Sequence, residues 1–409
     1  MRTKQEQNKV RRRLLYLWFP HFSIERHKRI EIDKRAKQDD FSGIIIIQDR
    51  AGRRVVIASC PLAFQMGVVV GLSLEDALAA CPSLLVFEAD LIADQLAIET
   101  LARWCGRYTP LVSIDKANKG LGNAGIWLDI TGCAHLFGGE ADLLNDIIAR
   151  LTAINWTAFG VISDTPGSAW AVARFSGGVT QLIAPGEQQA ALSELPLSAL
   201  RLPKNTVDDL SKVGLRKISQ LMLVPRAPLR ARFGKNIRLR LDQALGIEKE
   251  TVSPQTLHSP YLARLVLLEP ISNSETIKQI LGHLLPQVIE MLVTRSLGIR
   301  QLRFSLYKID GKVQELKIRT SEVSQNSDVI LRLFSEKIDN YLLDAGVDVV
   351  TLEATETDVI QYKQVHLNNE SETSELKLSE LIDSLTNRFG ISSVTVSYTH
   401  LRAHETCTN

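Results

Sequence analysis

The stretch "LLYLWFPHFSIERHKR", residues 14–29, begins with bulky apolar and aromatic side chains and turns basic after Pro20. A short continuous apolar run is typical of a strand buried on both faces. A proline cannot continue the hydrogen-bond ladder of a central strand. We therefore predict a buried strand over residues 14–19. The apolar run covers about six residues, which is too short for a signal-peptide core or a membrane span.

The composition is that of an ordinary globular protein of 409 residues, with 45% hydrophobic and 23% charged residues. Such a length allows about two to four compact units. The net charge is only +2, but it is unevenly distributed. Residues 201–250 carry 12 Lys or Arg against 5 Asp or Glu, whereas residues 351–390 carry 3 against 8. The basic stretch predicts a local anion-binding face, and a solvated helical surface is an equally good explanation.

The cysteines and histidines do not form a metal-binding pattern. The five cysteines lie far apart without a CxxC motif, which favours reduced, buried thiols in a cytosolic protein. His400 and His404 have the spacing of helical metal ligands, but no third candidate ligand is near. The sequence therefore predicts no metal site from these residue types.

The first half of the chain alternates between strand-like and helix-like patterns. Strands are predicted at residues 14–19, 43–49, 53–59, 111–115, 125–131 and 157–163. Helices are predicted at residues 72–82 and 89–108, and directly after Gly138 and Gly139. Residues 166–246 are predicted to be almost entirely helical.

The second half changes character after the helical stretch. Its patterns predict the order β-α-β-β-α-β, which lays two helices on one face of a four-stranded sheet. A polar, acidic tail with one amphipathic helix over residues 376–389 follows. The last 14 residues, "VSYTHLRAHETCTN", resemble translated sequencing-adapter read-through, and we expect them to be artefactual.

The basic stretch contains "LSKVGLRKISQLMLVP", residues 210–225, in which two helical segments flank a Val-Gly-Leu turn. This arrangement is typical of a helix-hairpin-helix, whose backbone amides and nearby cations bind nucleic-acid phosphates. A plain helical hairpin explains the pattern equally well.

Taken in order, "VSID", "WLDIT", the helical hairpin and the β-α-β-β-α-β unit resemble the Y-family translesion DNA polymerases. Three longer motifs, at residues 125–140, 163–174 and 223–246, are similar to the ImuB-type branch, a polymerase-like subunit thought to have lost its chemistry. The resemblance implies an α+β fold with palm, fingers, thumb and little finger. The implied ranges are 1–20 and 86–165 for the palm, 21–85 for the fingers, 166–250 for the thumb, 258–357 for the little finger and 358–409 for the tail.

The resemblance also matches positions of the polymerase metal site. Trp18 stands where active members carry a metal-binding aspartate, and Pro20 stands near the next acidic position. Asp115 matches a second aspartate, but Lys116 replaces the glutamate that follows it. Two-metal phosphoryl transfer needs several converging carboxylates. We therefore predict no catalysis, no metal and no cofactor, and we expect Asp129 of "WLDIT" to be structural.

The positions matched to the nucleotide-binding residues also predict a loss of catalysis. The Tyr and Arg that hold the triphosphate in active members correspond to Pro61 and Phe64, which offer neither donors nor positive charge. No Lys or Arg lies anywhere in residues 55–102. No small shift of the alignment restores the phosphate clamp.

The DNA-binding positions are retained in part. In the thumb, "LPKNTVDDL" replaces a Gly-x-Gly turn, so we expect weak, salt-sensitive DNA binding. Strand alternation puts Arg300 and Lys308 on the face of Leu302. The expected DNA contacts are Lys212, Arg216, Lys217, Arg230, Arg232, Lys235, Arg238, Arg300 and Lys308.

The remaining partners are also implied by the resemblance. "QVHLN" matches a sliding-clamp-binding peptide at Gln364 and Leu367 but lacks the aromatic residue. The implied partners are DNA, the sliding clamp, an error-prone polymerase and a RecA-like accessory protein, without a membrane. The expected location is the bacterial cytoplasm, in association with the nucleoid.

Two alternatives remain open at this point. The chain could be an active translesion polymerase that holds Mg²⁺ through other carboxylates, for instance Asp115, Asp129 and Glu25. It could also be a helix-hairpin-helix DNA-binding protein unrelated to polymerases. The latter predicts that residues 14–163 do not form a palm around a central sheet.

Overall fold

The computed structural model describes residues 12–34, 43–116, 120, 122–252, 255–256, 259, 261–339, 345–360 and 381–388. At residues 30–34, 226–227, 230–231 and 255–256 it describes the backbone only. The chain divides into two compact units between Leu257 and His258. None of the described helices has the length and apolar character needed to cross a bilayer.

The strands and helices predicted for the N-terminal unit form with ends shifted by a few residues. The structure adds elements that the patterns did not predict, namely helices at Phe22–Lys34 and Pro61–Gln65 and strands at Leu85–Glu88, Gln181–Leu182 and Gln255–Thr256. The strands are β1 (Leu14–Phe19), β2 (Ile44–Arg50), β3 (Arg53–Ser59), β4 (Leu85–Glu88), β5 (Leu111–Ile114), β6 (Ala124–Asp129), β7 (Phe159–Ser163), β8 (Gln181–Leu182) and β9 (Gln255–Thr256). The helices are α1 (Phe22–Lys34), α2 (Pro61–Gln65), α3 (Leu74–Ala80), α4 (Leu91–Cys105), α5 (Glu140–Ala153), α6 (Pro166–Phe175), α7 (Gln188–Ser193), α8 (Lys204–Lys212), α9 (Ile218–Leu223), α10 (Arg226–Phe233) and α11 (Lys235–Leu245).

The central sheet of this unit has the strand order β8-β7-β1-β6-β5-β9. Strand β1 lies between β6 and β7 and is antiparallel to both. Leu14 lies opposite Asp129, and Trp18 lies opposite Gly125. All residues of β1 except Trp18 are fully buried, so the strand predicted from the opening stretch is confirmed and forms the middle of the sheet.

A second, smaller sheet has the order β3-β2-β4. The predicted hairpin forms β2 and β3, and β4 adds to β2 in parallel. Helices α1, α2 and α3 pack against this sheet, and its core is rich in β-branched side chains of β2 and β3. Such residues favour strands because they pack well on a pleated surface.

The helical segment that follows β7 packs back onto the central sheet through α6, which contacts β1 and β7. Gly167 allows α11 to approach α6, since a Cβ at this position would lie 2.7 Å from the Ala244 Cα. The Thr165 hydroxyl, which also caps α6, donates to the Ala244 carbonyl at 2.7 Å. This close contact fixes the basic helices against the sheet.

The C-terminal unit confirms the predicted β-α-β-β-α-β order. Its elements are β10 (Leu262–Ile271), α12 (Ser274–Val293), β11 (Leu297–Lys308), β12 (Val313–Ser324), α13 (Ser327–Asp339) and β13 (Val347–Val359). The strand order is β10-β13-β11-β12. Both helices share one apolar core with the sheet, in which Phe304 of β11 packs edge-on against Phe334 of α13.

A short helix over residues 381–388 covers the free edge of β12. The Asn387 side chain accepts a hydrogen bond from the Arg319 amide at 3.0 Å and donates to the Arg319 carbonyl at 2.7 Å. The Asp383 carboxylate accepts from the Ser321 amide at 2.5 Å. These side chains satisfy groups that a neighbouring strand would otherwise pair, and they protect the edge from further pairing.

Candidate functional site

Asp115 follows β5 directly and is held at the end of the central sheet. Its amide donates to the Gly125 carbonyl at 2.9 Å. Its carboxylate oxygen Oδ2 accepts hydrogen bonds from the Tyr16 hydroxyl at 2.8 Å and from the Trp170 indole Nε1 at 3.2 Å. Tyr16 is fully buried in β1, and Trp170 lies in α6. Asp115 therefore ties the sheet to the helix that packs on it.

A glycine makes this contact possible. Tyr16 crosses the strand next to it at Gly125, where a Cβ would lie 2.3 Å from the Tyr16 hydroxyl oxygen. The Tyr16 ring also packs on Trp127, with 4.3 Å between the ring centroids. Any larger residue at Gly125 would push the Tyr16 hydroxyl away from Asp115.

Arg174 of α6 contacts the aromatic side chains that surround Asp115. Its guanidinium lies over the ring of Trp170 at 4.6 Å and over the ring of Trp18 at 5.5 Å. Its Nη2 also donates to the Tyr16 hydroxyl at 3.4 Å. Stacking on aromatic faces stabilises a guanidinium that is removed from water. We call Asp115, Tyr16, Trp18, Trp170 and Arg174 the Asp115 cluster.

Of the four positions matched to the polymerase metal site, two lie in the Asp115 cluster and two lie outside it. Trp18 and Asp115 both belong to the Asp115 cluster, whereas Pro20 lies in the turn after β1 and Lys116 is exposed. The Trp18 indole N–H finds no acceptor among the described residues, so Trp18 contributes through its ring, which also packs 6.0 Å from that of Phe159.

The other carboxylates considered for catalysis are held elsewhere. Asp129 lies at the far end of β6, about 13 Å along the strand from Gly125, and accepts from the Arg12 Nε at 2.9 Å. Glu25 accepts from the Thr157 amide at 3.0 Å, and burial raises its pKa despite this hydrogen bond. Across the described residues, no three His, Cys, Asp or Glu side chains are placed to share a cation.

The Leu14 end of β1 carries an ion network that sequence reasoning did not find. Arg13 is 6% exposed, and it donates to the Glu140 carboxylate at 2.7 and 2.6 Å and to Asp164 at 2.6 Å. Burial alone would lower the pKa of Arg13, but the hydrogen bonds and charges of Glu140 and Asp164 outweigh it and raise the pKa. The network joins β1 to α5 and to the loop after β7.

The helical hairpin forms in the basic segment, with α8 and α9 joined through Gly214. Gly214 has φ of +85°, which favours glycine. The amides of Arg216 and Lys217, which would face a phosphate at the start of α9, both donate to the Gln220 side chain, at 2.7 and 3.0 Å. Backbone phosphate binding at this turn therefore competes with an internal hydrogen bond.

The predicted thumb contacts include both open and engaged cations. Arg216, Arg232 and Lys235 are exposed, and the side chain of Arg230 lies outside the description. The other three form ion pairs at 2.6 to 3.0 Å: Lys212 with Asp209, Lys217 with Glu194 and Arg238 with Asp242. The Lys212 and Lys217 pairs are exposed, so they contribute little and can exchange for a phosphate, whereas the Arg238 pair with the buried Asp242 is largely shielded from water.

The two cations predicted to share a face of β11 lie on different faces. Lys308 is only 6% exposed, because strand alternation puts it on the face that packs against the helices, so it is not displayed for a backbone contact. Arg300 is not on that face: the pairing of β11 is irregular between Ile299 and Gln301, and both Ile299 and Leu302 are buried. The irregularity breaks the simple alternation and turns Arg300 towards Ser321 and Asp358. Gln364 and Leu367 lie outside the described residues.

Comparison with known proteins identifies the lineage. The family described as impB/mucB/samB matches residues 39–174. The protein ImuB of Caulobacter vibrioides is 36% identical over 326 residues, which cover 80% of this chain and 70% of ImuB. The chain belongs to the ImuB family.

More distant relatives of this ImuB-family chain are polymerases. The DNA polymerase IV of Shewanella frigidimarina is 26% identical over 347 residues, covering 79% of this chain and 92% of the polymerase. The insertion ternary complex of Dbh DNA polymerase has 14% sequence identity and a TM-score of 0.50, over 83% of this chain and 97% of that structure. The predicted α+β, Y-family polymerase-like fold is thereby confirmed.

Proposed function

We propose that this ImuB-family chain is a non-catalytic Y-family polymerase homologue. It acts as a DNA-binding adaptor in damage-induced mutagenesis and translesion synthesis, and it links the sliding clamp to an error-prone polymerase. The observation that carries the proposal is the Asp115 cluster, in which the carboxylate matched to the metal site is bound by a tyrosine hydroxyl and an indole N–H.

The chemistry of the cluster supports this proposal. A magnesium pair needs several carboxylate oxygens in octahedral geometry. Here Asp115 Oδ2 already accepts two hydrogen bonds. One of them comes from the Tyr16 hydroxyl, and the positively charged guanidinium of Arg174 donates to that hydroxyl at 3.4 Å. Trp18 offers no oxygen at the second matched position. The described residues therefore do not fit a two-metal centre, and we derive no catalytic step through one.

The exposed cations of the helical segment support the proposal that the chain binds DNA. Arg216, Arg232 and Lys235 are available to phosphates, and contacts with phosphates are independent of sequence and weaken with salt. The side chain of Gln220 accepts hydrogen bonds from the Arg216 and Lys217 amides at the start of α9, so these amides are not free to bind a phosphate. We therefore expect binding to be weaker than in a polymerase with a glycine-rich hairpin.

The partners are proposed from the family resemblance. Gln364 and Leu367 are the candidate contacts with the sliding clamp, and an error-prone polymerase and a RecA-like accessory protein complete the assembly. We propose that it works in the bacterial cytoplasm, in association with the nucleoid.

Primer extension with the purified chain tests the loss of chemistry. We expect no templated incorporation with Mg²⁺ or Mn²⁺, whereas the same sample binds the primer–template, which shows that it is folded. Incorporation that disappears in Asp115→Ala would overturn the proposal and favour the active polymerase.

Salt-dependent DNA binding tests the adaptor surface. We expect the double variant Arg232→Ala/Lys235→Ala to reduce the slope of log K against log salt by about two, one for each lost phosphate contact. Arg54→Ala, an exposed cation on the small sheet, serves as the matched control and should leave the slope unchanged. Equal slopes in all three proteins would remove these helices from the DNA interface.

A further inference from the structure

Two arginines of the N-terminal unit share a single carboxylate. The Arg201 Nη2 donates to the Glu250 Oε2 at 2.7 Å, and the Arg240 Nη1 donates to the Glu250 Oε1 at 3.3 Å. The Glu250 side chain is only 9% exposed, whereas the Arg201 and Arg240 side chains are 20% and 33% exposed. The carboxylate is therefore largely shielded from water, while both arginines reach the surface in part. We call these three residues the Glu250 triad.

Both arginines are held in place from outside the Glu250 triad. Arg201 has φ of +55°, a left-handed conformation that is unfavourable for a residue with a Cβ. Its guanidinium lies 5.5 Å from the ring centroid of Trp170, and stacking on an aromatic face restricts its orientation. Arg240 projects from α11, which Ile237 and Leu241 anchor in the apolar core. The two guanidiniums thus form a preorganised pair.

The charges and hydrogen bonds of the Glu250 triad do not balance. Among the described residues, Glu250 is the only carboxylate that forms an ion pair with either arginine, so one negative charge faces two positive charges. The Arg240 Nε is buried and finds no acceptor in the described part of the chain. A buried donor without an acceptor is unfavourable. The carboxylate therefore leaves part of the donor capacity of the two arginines unused.

A phosphate with two negative charges fits this arginine pair better than the carboxylate does. It balances both guanidiniums, and its tetrahedral shape offers more oxygen atoms to their N–H groups. Arginine binds phosphate as well as carboxylate, because its planar fork matches the geometry of both. The Glu250 triad therefore has the composition of a phosphate site that is occupied by a carboxylate of the same chain.

We propose that Arg201 and Arg240 form a binding site for a phosphate dianion, either inorganic phosphate or the terminal phosphate of a DNA strand. Glu250 occupies this site while no phosphate is bound. When phosphate binds, the Glu250 carboxylate moves into water, and the two arginines donate to phosphate oxygens instead. The terminal-phosphate form of this inference rests on the proposed DNA binding, whereas the free-phosphate form does not.

Thermal unfolding of the full chain in inorganic phosphate tests the site. Glu250→Ala removes the carboxylate from its buried pair and should lower the Tm. Millimolar phosphate should then restore at least about half of the lost Tm, because it binds the folded state at the vacated arginines. Sodium chloride of the same ionic strength should restore none of it. Glu250→Gln, which keeps the size of the side chain, should respond to phosphate in the same way.

Two further variants separate this site from the general stabilising effect of phosphate on folded proteins. Glu248→Ala removes an exposed carboxylate close in sequence, and its Tm should change with phosphate no more than that of the unaltered chain. Arg201→Ala/Glu250→Ala lacks one arginine of the site and should lose the recovery seen in Glu250→Ala. Equal effects of phosphate on Glu250→Ala, Glu250→Gln and Glu248→Ala would overturn the proposal and leave Glu250 as a structural ion pair.

Two oligonucleotides of one sequence, with and without a terminal phosphate, distinguish the two sources of the ligand. If the terminal phosphate is the ligand, Glu250→Ala should bind the phosphorylated strand at least about threefold more tightly than the other. Arg201→Ala/Glu250→Ala should bind both strands equally. Equal binding by Glu250→Ala, together with recovery of its Tm, would make free phosphate the ligand. Failure of the unaltered chain to bind any DNA would contradict the proposed function, while the recovery of Tm would still test this site.

Discussion

At the Leu14 end of β1, a buried arginine binds two carboxylates, whereas at the Trp18 end an aspartate accepts hydrogen bonds from aromatic side chains, next to a guanidinium that lies over indole rings. Arg13 holds Glu140 and Asp164 at 2.6 to 2.7 Å. Asp115 is instead bound by a hydroxyl and an indole N–H. The two ends are about 13 Å apart on the same strand.

Two further groups, just beyond the Trp18 end, sharpen this contrast. Burial and the nearby Lys28 lower the pKa of His21, against a hydrogen bond with the Ser59 backbone. Burial raises the pKa of Glu25. Both shifts favour the neutral forms, whereas the pKa of Arg13 is shifted towards the charged form. The comparison teaches that one strand can carry an ion network at one end and, at the other end, an aspartate and a guanidinium that are held by aromatic side chains.

The largest effect is expected at the ion network. Arg13→Ala leaves Glu140 and Asp164 without their buried partner and should lower the free energy of unfolding by about 3–5 kcal/mol. Chemical denaturation measures the change. Arg12→Ala, which breaks the single and more exposed pair with Asp129, should cost less than about 1 kcal/mol. Similar losses in both variants would contradict the special role of Arg13.

The next largest loss of stability is expected where Gly125 lies against Tyr16 in the Asp115 cluster. Gly125→Ala puts a methyl group on the Tyr16 hydroxyl and should destabilise the fold by about 1–3 kcal/mol. Gly282→Ala in α12 is the matched control, because a Cβ there meets no atom within 4 Å. It should be stabilising by about 0.5–1 kcal/mol, since alanine favours a helix over glycine. If Gly125→Ala left the free energy of unfolding unchanged, Tyr16 would be able to move away from the new methyl group at no cost.

A smaller loss is expected when one donor of Asp115 is removed. Tyr16→Phe keeps the ring on Trp127 but deletes the hydroxyl, and it should cost about 1–2 kcal/mol. Combining it with Asp115→Ala in a double-mutant cycle should show coupling between the two positions. Strictly additive effects would mean that this hydrogen bond does not stabilise the fold.

The smallest effect is a pH dependence at His21. Because the pKa of His21 is lowered in the folded chain, the unfolded chain binds more protons below about pH 6.5. The contribution is fully present above that pH and is lost as the pH falls through the folded-state pKa. Glu25, with its raised pKa, acts in the opposite direction, losing stability as the pH rises. The free energy of unfolding of His21→Gln, measured against pH, should therefore fall less steeply than that of the unaltered chain as the pH drops below about 6.5.

The order of elements was accessible from sequence because it rests on local patterns. The apolar run before Pro20, the glycines before α5 and the alternating halves of the C-terminal sheet each act over a few neighbouring residues. The Asp115 cluster was not accessible, because its hydrogen bonds join residues 55 to 158 positions apart. Nothing local in "LLYLWF" indicates which side chain will meet Trp170.

The positions of the two β11 cations also depend on more than local patterns. Regular alternation predicts one face for Arg300 and Lys308, but the irregular pairing near Ile299 displaces Arg300. Burial of Lys308 depends on helices packed from elsewhere in the chain. The exposure of Leu62, Phe64 and Met66 was not accessible from sequence either, because it depends on Ala63 being the member of this segment that turns inward.

The fit between Gly125 and Tyr16 also limits the evolutionary routes open to this strand. Trp18→Asp alone would restore one acid, but the new carboxylate would face Arg174 and not an open cation gap. Asp115 would still be bound by Tyr16 and Trp170. Each single step back removes a packed contact before it gains a ligand. Under the proposed function, a single substitution in this strand is therefore not sufficient to create a metal-binding set of carboxylates.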